Sequence, residues 1–367
     1  MTISGWALGV GVALALAPTA FGPADAAGRV VNVYNWSDYI DSQILKDFER
    51  DTGIKVVYDT YDSNEVLETK LLAGKTGYDV VVPTSYFLAR EIRAGAIRAL
   101  DKAKLPNLAH LSPAIMARMA RFDPGNDHAV VYMWGTSGIG FNADMIGKRM
   151  QDAPTGSLRM VFDPAVAAKF ADCGIMVLDA PDEIVPAALK YLGEDPDSKD
   201  PKTLAKAEAA LLKVRPYIRK FHSSEYIEAL ANGDICLAFG WSGDVVQAKK
   251  RAEEAKRGVL IEYRIPQEGA QMWFDSFAMP NDAPHPAEAL AFIDYMMRPD
   301  VIARASNFVF YPNANRDADD LVSAEVKSDP EIYPPPDTFA RLYTISPYDQ
   351  AAQRVLTRVW THVKGAS

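Results

Sequence analysis

From Val30 onward the apolar positions fall into an alternating rhythm of strand and helix. Val30 to Tyr34 is β-branched and apolar, and Ile44, Leu45 and Phe48 then recur at helical spacing until Gly53 supplies a C-terminal stop. Ile54 to Tyr58 predicts a second strand. Ser63 predicts the cap of a helix that runs through Val66, Leu67 and Leu71 to Gly74, and Asp79 to Pro83 reads as a buried strand. This βαβαβ order implies a doubly wound, mostly parallel α/β sheet with right-handed crossovers. Further strands are expected at Gly138–Phe141, Gly174–Leu178, Ile235–Phe239 and Ser276–Met279, and helices at Pro186–Leu192 and Thr203–Val214. The chain exceeds the size at which one core stops growing, so two α/β lobes with a cleft between them are expected.

The 367 residues are 49% hydrophobic and 24% charged, without repeats or low-complexity tracts. The net charge of −9 argues against neutralising a phosphate backbone and makes nucleic acid a poor partner. Leu8 to Leu16 has the length of a signal-peptide core, and Ala24-Asp25-Ala26 has the small-x-small form of a cleavage site, so residues 1–26 are expected to be removed on export. No Lys or Arg precedes the run, and a signal anchor is the alternative. Removal takes away one charge, Asp25, leaving 39 basic residues against 47 acidic and a net charge of −8. Export makes a bridge between the two cysteines, Cys173 and Cys236, the expected state, with two buried thiols as the alternative.

In such sheets ligands sit beyond the carboxyl ends of the strands. The segments there are Asn35-Trp36-Ser37-Asp38-Tyr39, Thr84-Ser85-Tyr86-Phe87, Asp179-Ala180-Pro181-Asp182-Glu183 and Gly240-Trp241-Ser242-Gly243-Asp244, with Met272-Trp273-Phe274-Asp275 near another. Aromatic rings and carboxylates recur together. Residues two apart in a strand share a face, so Trp273 and Asp275 should project into one space. Helix N-termini ordinarily attract anions, so acids in their place point to an organic cation, which gains roughly 0.5–2 kcal/mol from each ring face.

Longer blocks carry a resemblance. Tyr34-Asn35-Trp36-Ser37-Asp38-Tyr39-Ile40, Tyr61 to Glu68, Leu178-Asp179-Ala180-Pro181, Ala231 to Cys236 and Val309 to Asn315 together resemble the extracytoplasmic polyamine-binding proteins of bacterial ABC importers, the putrescine- and spermidine-binding group. The likeness runs from about Val30 to Trp360. It implies a two-lobed periplasmic-binding fold of type II, with lobes 27–135 plus 264–305 and 136–263 plus 306–367, that closes over its ligand. It further implies that Trp36 and Trp241 flank an alkyl chain, that Trp273 closes one side, and that Asp244 and Asp275 bind ammonium groups. Glu183 would act at the far end, with Ser37, Thr84, Ser85 and Tyr311 as polar contacts and Asp38 and Tyr39 close by. Trp273 stands where Phe is common in the putrescine type, and Tyr86 where a small residue is; members with the larger ring lean toward spermidine. Ser37-Asp38 resembles the putrescine side. The family's cysteine pair falls on Cys173 and Cys236.

The resemblance implies a periplasmic monomer that is not an enzyme, uses neither cofactor nor metal, and delivers its ligand to membrane permease subunits. Other readings remain open at this stage. Asp244, Asp275 and Glu183 also suit a glycosidase. Gly240-Trp241-Ser242-Gly243 with Asp275 and His285 approximates a serine esterase, although Asp244 replaces the motif's final glycine. A polyamine sensor without transport would use the same site. The five histidines, His110, His128, His222, His285 and His362, show no metal-ligand spacing.

Overall fold

The computed structural model describes residues 1–2 and 28–366. The expected signal segment therefore lies almost wholly outside the described residues.

Among the described residues there are nine strands: β1 (Val30–Trp36), β2 (Lys55–Tyr61), β3 (Val80–Val81), β4 (Ala129–Asn142), β5 (Ile175–Val177), β6 (Ile218–Phe221), β7 (Leu237–Trp241), β8 (Ile261–Arg264) and β9 (Met272–Ala278). They follow the order β2-β1-β3-β9-β4-β7-β5-β6, with β8 also on β4. β1 lies parallel to β2 and β3, and β5 lies parallel to β6 and β7, so each half holds the anticipated parallel trio. Each half also contains an antiparallel strand, β9 beside β3 in the first and β4 beside β7 in the second.

β4 joins the halves. Its residues Ala129 to Thr136 pair with β9, whereas Ser137 to Phe141 pair with β7 and Ile139 to Asn142 with β8. All fourteen of its residues are buried. The sequence pattern exposes only the end of this strand, because the run from Ala129 to Trp134 is continuously apolar and lacks alternation.

Local signals set the early elements as expected. Asp41 and Ser63 cap helices Ser42–Thr52 and Asn64–Ala73 through their side chains, and Gly53 ends the first in the left-handed region at φ 67°. One helix begins earlier than Pro186. It spans Pro181–Tyr191 with Pro181 in its first turn and Pro186 inside, since the backbone N–H groups of Glu183 and Ile184 both donate to Ala180. That shift moves Asp182 and Glu183 from a loop into a helical first turn.

Cys173 and Cys236 form a disulfide with Cα atoms 5.5 Å apart, tying the approach to β5 to the approach to β7. No helix among the described residues is long and apolar enough to cross a membrane.

Candidate functional site

A cavity lies where the carboxyl ends of the strands from both halves converge. β1 brings Trp36 and, just beyond it, Ser37 and Tyr39; β7 brings Trp241; β9 brings Trp273 and Asp275 on one face. Thr84 follows β3, and Asp244 and Glu183 sit in the first turns of helices Ser242–Glu254 and Pro181–Tyr191. Tyr311 completes the set. Ten of the thirteen residues singled out from the sequence thus share one wall or another.

The indoles meet edge to face. Trp36 and Trp241 have ring centroids 5.5 Å apart at 76°, and Trp241 and Trp273 are 6.5 Å apart at the same angle. Trp36 and Trp241 therefore touch at an edge instead of standing as parallel plates. Trp36 is fixed by its indole N–H, which donates to the Val82 carbonyl at 2.9 Å. Trp273 lies over Gly135 of β4. A Cβ at that position would meet the indole at 2.6 Å and Tyr311 at 2.9 Å, so only glycine permits this packing.

Each carboxylate is held by neutral donors. The Tyr39 hydroxyl donates to Asp275 at 3.0 Å and the Thr84 hydroxyl at 2.7 Å, while Asn64 steadies Thr84 by donating to it at 2.9 Å. Tyr226 and Tyr311 donate to Asp244, both at 2.8 Å. Ser137, the Trp241 indole at 3.1 Å and Tyr86 at 3.3 Å all donate to Glu183. Among the described residues, no lysine, arginine or histidine lines the cavity. Burial is the largest influence on these acids: it pushes Asp275 and Glu183 up to about 7 and Asp244 up to about 6, against the pull of their hydroxyl and indole donors. Three acids share a water-poor space without a resident cation, and a positively charged guest would complete it.

Three of the singled-out residues stand outside the lining. Asp38 is on the surface, its backbone at φ 55°, and pairs with Arg251 at 2.8 Å. Ser85 is buried at the start of helix Ser85–Arg93. Tyr86 lines an adjoining cavity and reaches this one only through Glu183. Five further residues line the cavity: Tyr61, Asp62, Ser223, Ser224 and Ile227. Tyr61 ends β2 and the serines follow β6, so the strand-end rule applies to them too. The serines carry no such signal in the sequence, because β6, Ile218-Arg219-Lys220-Phe221, has charged residues at its centre and does not read as a strand.

The esterase arrangement does not assemble. The His285 ring is bonded to Asp79 at 3.0 Å, outside the cavity, and the Ser242 hydroxyl accepts from the Thr136 backbone at 3.4 Å.

Residues 43–334 match the model of a family described as bacterial extracellular solute-binding protein. The chain is 51% identical over 355 residues to the putrescine-binding periplasmic protein SpuD of Pseudomonas aeruginosa, covering 96% of this chain and 97% of that one. It is 50% identical over 361 residues to the putrescine-binding periplasmic protein PotF of Escherichia coli, covering 98% and 97%. Among solved structures, the spermidine/putrescine ABC transporter substrate-binding protein PotD of Streptococcus pneumoniae superposes with a TM-score of 0.74 at 28% identity, covering 92% of this chain and 98% of that one. Two of these relatives are named for binding putrescine and the third as an ABC transporter substrate-binding protein, and the chain belongs to the bacterial extracellular solute-binding protein family and is not an enzyme.

Proposed function

We propose that this protein captures a linear polyamine, putrescine or spermidine, between its two lobes and delivers it to the permease subunits of an ABC importer. The observation that carries this reading is the composition of the cavity: among the described residues it is lined by four carboxylates (Asp62, Glu183, Asp244 and Asp275) and three indoles, with no basic side chain. Asp244 and Asp275 bind one ammonium end, Glu183 the other, and the rings cover the alkyl chain. The names of the relatives, putrescine-binding and spermidine/putrescine-binding, support the same ligand class.

Closure follows from charge. Acids contributed by both halves repel as they ionise, and a dication between them replaces repulsion with attraction, so the ligand favours the closed form. Micromolar affinity requires only about −8 kcal/mol, within reach of two charge pairs less desolvation plus ring contacts. The lobes comprise 27–135 with 264–305 and 136–263 with 306–367. The exchange of β4's partners between Thr136 and Ser137 supports the first boundary. In this reading the protein works as a periplasmic monomer after cleavage following Ala26.

Calorimetry on amine-free protein tests the proposal, with putrescine, cadaverine, spermidine and spermine as ligands and a sugar and an amino acid as controls. Saturable binding of at least one polyamine, none of the controls, and a loss of roughly 2–5 kcal/mol in Asp275→Asn are expected. Unchanged affinity in that variant would overturn the site.

A further inference from the structure

An open groove, separate from the ligand cavity, runs between helix Ser85–Arg93 and the carboxyl-terminal helix Gln350–Gly365. The first helix follows β3 in one half of the molecule. The second is fastened to the other half, where Trp360 and Lys364 donate to Asp179 at 2.7 and 2.8 Å. Arg90 reaches across by donating to Gln353 at 2.6 Å. The groove therefore has one wall from each half, and lobe closure is what completes it.

Its lining is cationic. Among the described residues it carries four guanidiniums, Arg90, Arg93, Arg354 and Arg358, against one carboxylate, Asp349. Asp349 is taken up as the helix cap, accepting from the Ala352 backbone at 2.8 Å, and Arg90 is paired with Glu68. The other three arginines are exposed, and none has a carboxylate partner among the described residues. On a chain with a net charge of −9 this is a local reversal of sign, and it repels a cationic cargo while attracting an anionic partner.

The spacing narrows the partner. Arg354 and Arg358 stand one turn apart on the helix, about 6 Å along its axis. Carboxylates on alternate residues of an extended peptide are about 6.5 Å apart. Each guanidinium fork can take one carboxylate through two parallel hydrogen bonds, with Arg93 available on the opposite wall. A recessed site with the buried ring of Tyr348 in its lining suits a single chain better than a flat bilayer.

We propose that this groove docks an extended, acidic extracytoplasmic segment of the permease subunits. The assignment rests on the importer reading and adds to it a face and a recognition chemistry. Because the segment touches both halves it favours closure, so segment and polyamine must strengthen each other's binding by the same factor.

The probe is a fluorescein-labelled octapeptide of alternating glutamate and serine, read by anisotropy with and without saturating putrescine. Wild type should bind it saturably and at least about fivefold more tightly when loaded. Binding should be lost in the double variant Arg354→Glu, Arg358→Glu and weakened in Arg93→Glu, while calorimetry finds putrescine affinity unchanged in both. In spheroplasts lacking their own copy of the protein, the double variant should need at least about tenfold more protein than wild type to restore putrescine uptake. Peptide binding or uptake equal to wild type in the double variant overturns the docking face and leaves the ligand cavity standing. So does retention on phosphatidylglycerol vesicles that the double variant loses, which would make the arginines a membrane contact. Putrescine-loaded wild type that restores no uptake overturns the importer reading instead, and the assignment with it.

Discussion

Asp38 and Arg251 form an ion pair at 2.8 Å that spans the two halves of the molecule, one from the loop after β1 and the other from helix Ser242–Glu254. The sequence placed Asp38 among the ligand contacts, but it is not part of the cavity lining and its carboxylate pairs with the guanidinium, which also pairs with Glu228. In the proposed closure, opening of the cleft would part the two side chains. They are 44% and 31% exposed, so solvent screening holds the worth of the pair to about 0.5–1 kcal/mol. Arg251→Ala should therefore speed amine dissociation by about 2–5-fold at low salt. In stopped-flow traces the difference from wild type should fade at 0.5 M salt, and equal rates at low salt would remove the clasp from the account of closure.

The disulfide lies outside the cavity lining, so its effects should separate from binding. Neither Cys173 nor Cys236 lines the cavity, and the bridge closes a loop with a sequence separation of 63. Chain entropy assigns such a loop a stabilisation of about 4 kcal/mol. Denaturant unfolding with and without reductant should reveal a loss of about 2–4 kcal/mol, while amine affinity measured below the transition stays the same. A reduced protein with lower affinity would show that the bridge also shapes the cleft.

Much of this architecture was legible because local signals agreed with the tertiary fold. Gly53 and Ser63 mark helix ends, Trp273 and Asp275 share a strand face, and the strand-end rule leads to most of the cavity wall. What stayed hidden depended on contacts between distant segments. The first part of β4 is apolar without alternation, because both of its faces are covered, and β6 carries charges because two of its four residues face solvent. Arg93 and Arg354 lie far apart in the chain, and only folding brings them to one groove.

Gly135 supports the aromatic wall through what it lacks. Its hypothetical Cβ would overlap the Trp273 ring at 2.6 Å and the Tyr311 ring at 2.9 Å, and both belong to the cavity lining. Gly135→Ala must therefore displace the indole or bend β4, at a cost of about 1–3 kcal/mol in stability. Amine binding should weaken as well, because Tyr311 also holds Asp244 at 2.8 Å. Thermal unfolding and calorimetry on the same variant read the two effects, and an alanine variant that matches wild type in both would mean the wall adapts.

Proton release should accompany binding, because the cavity acids hold their protons more tightly in the folded protein than in an unfolded chain. Burial raises Asp244 to about 6 and Asp275 and Glu183 to about 7, whereas unfolded carboxyls titrate near about 4. Between about pH 4 and 7 the ligand-free folded state thus carries protons that the unfolded state lacks, and their contribution to stability falls as pH rises through that window. An ammonium beside each carboxylate favours its ionised form, so binding expels the retained protons, and affinity should climb with pH from about 5.5 to about 7.5. Each proton released adds at most about tenfold per pH unit. Above that range the curve should flatten, until the amine itself deprotonates near about pH 10. Calorimetry at pH 6 in two buffers of different ionisation enthalpy should give different apparent heats, corresponding to about two protons released. Identical heats together with a flat affinity profile across the window would mean that the acids are already ionised before the amine arrives.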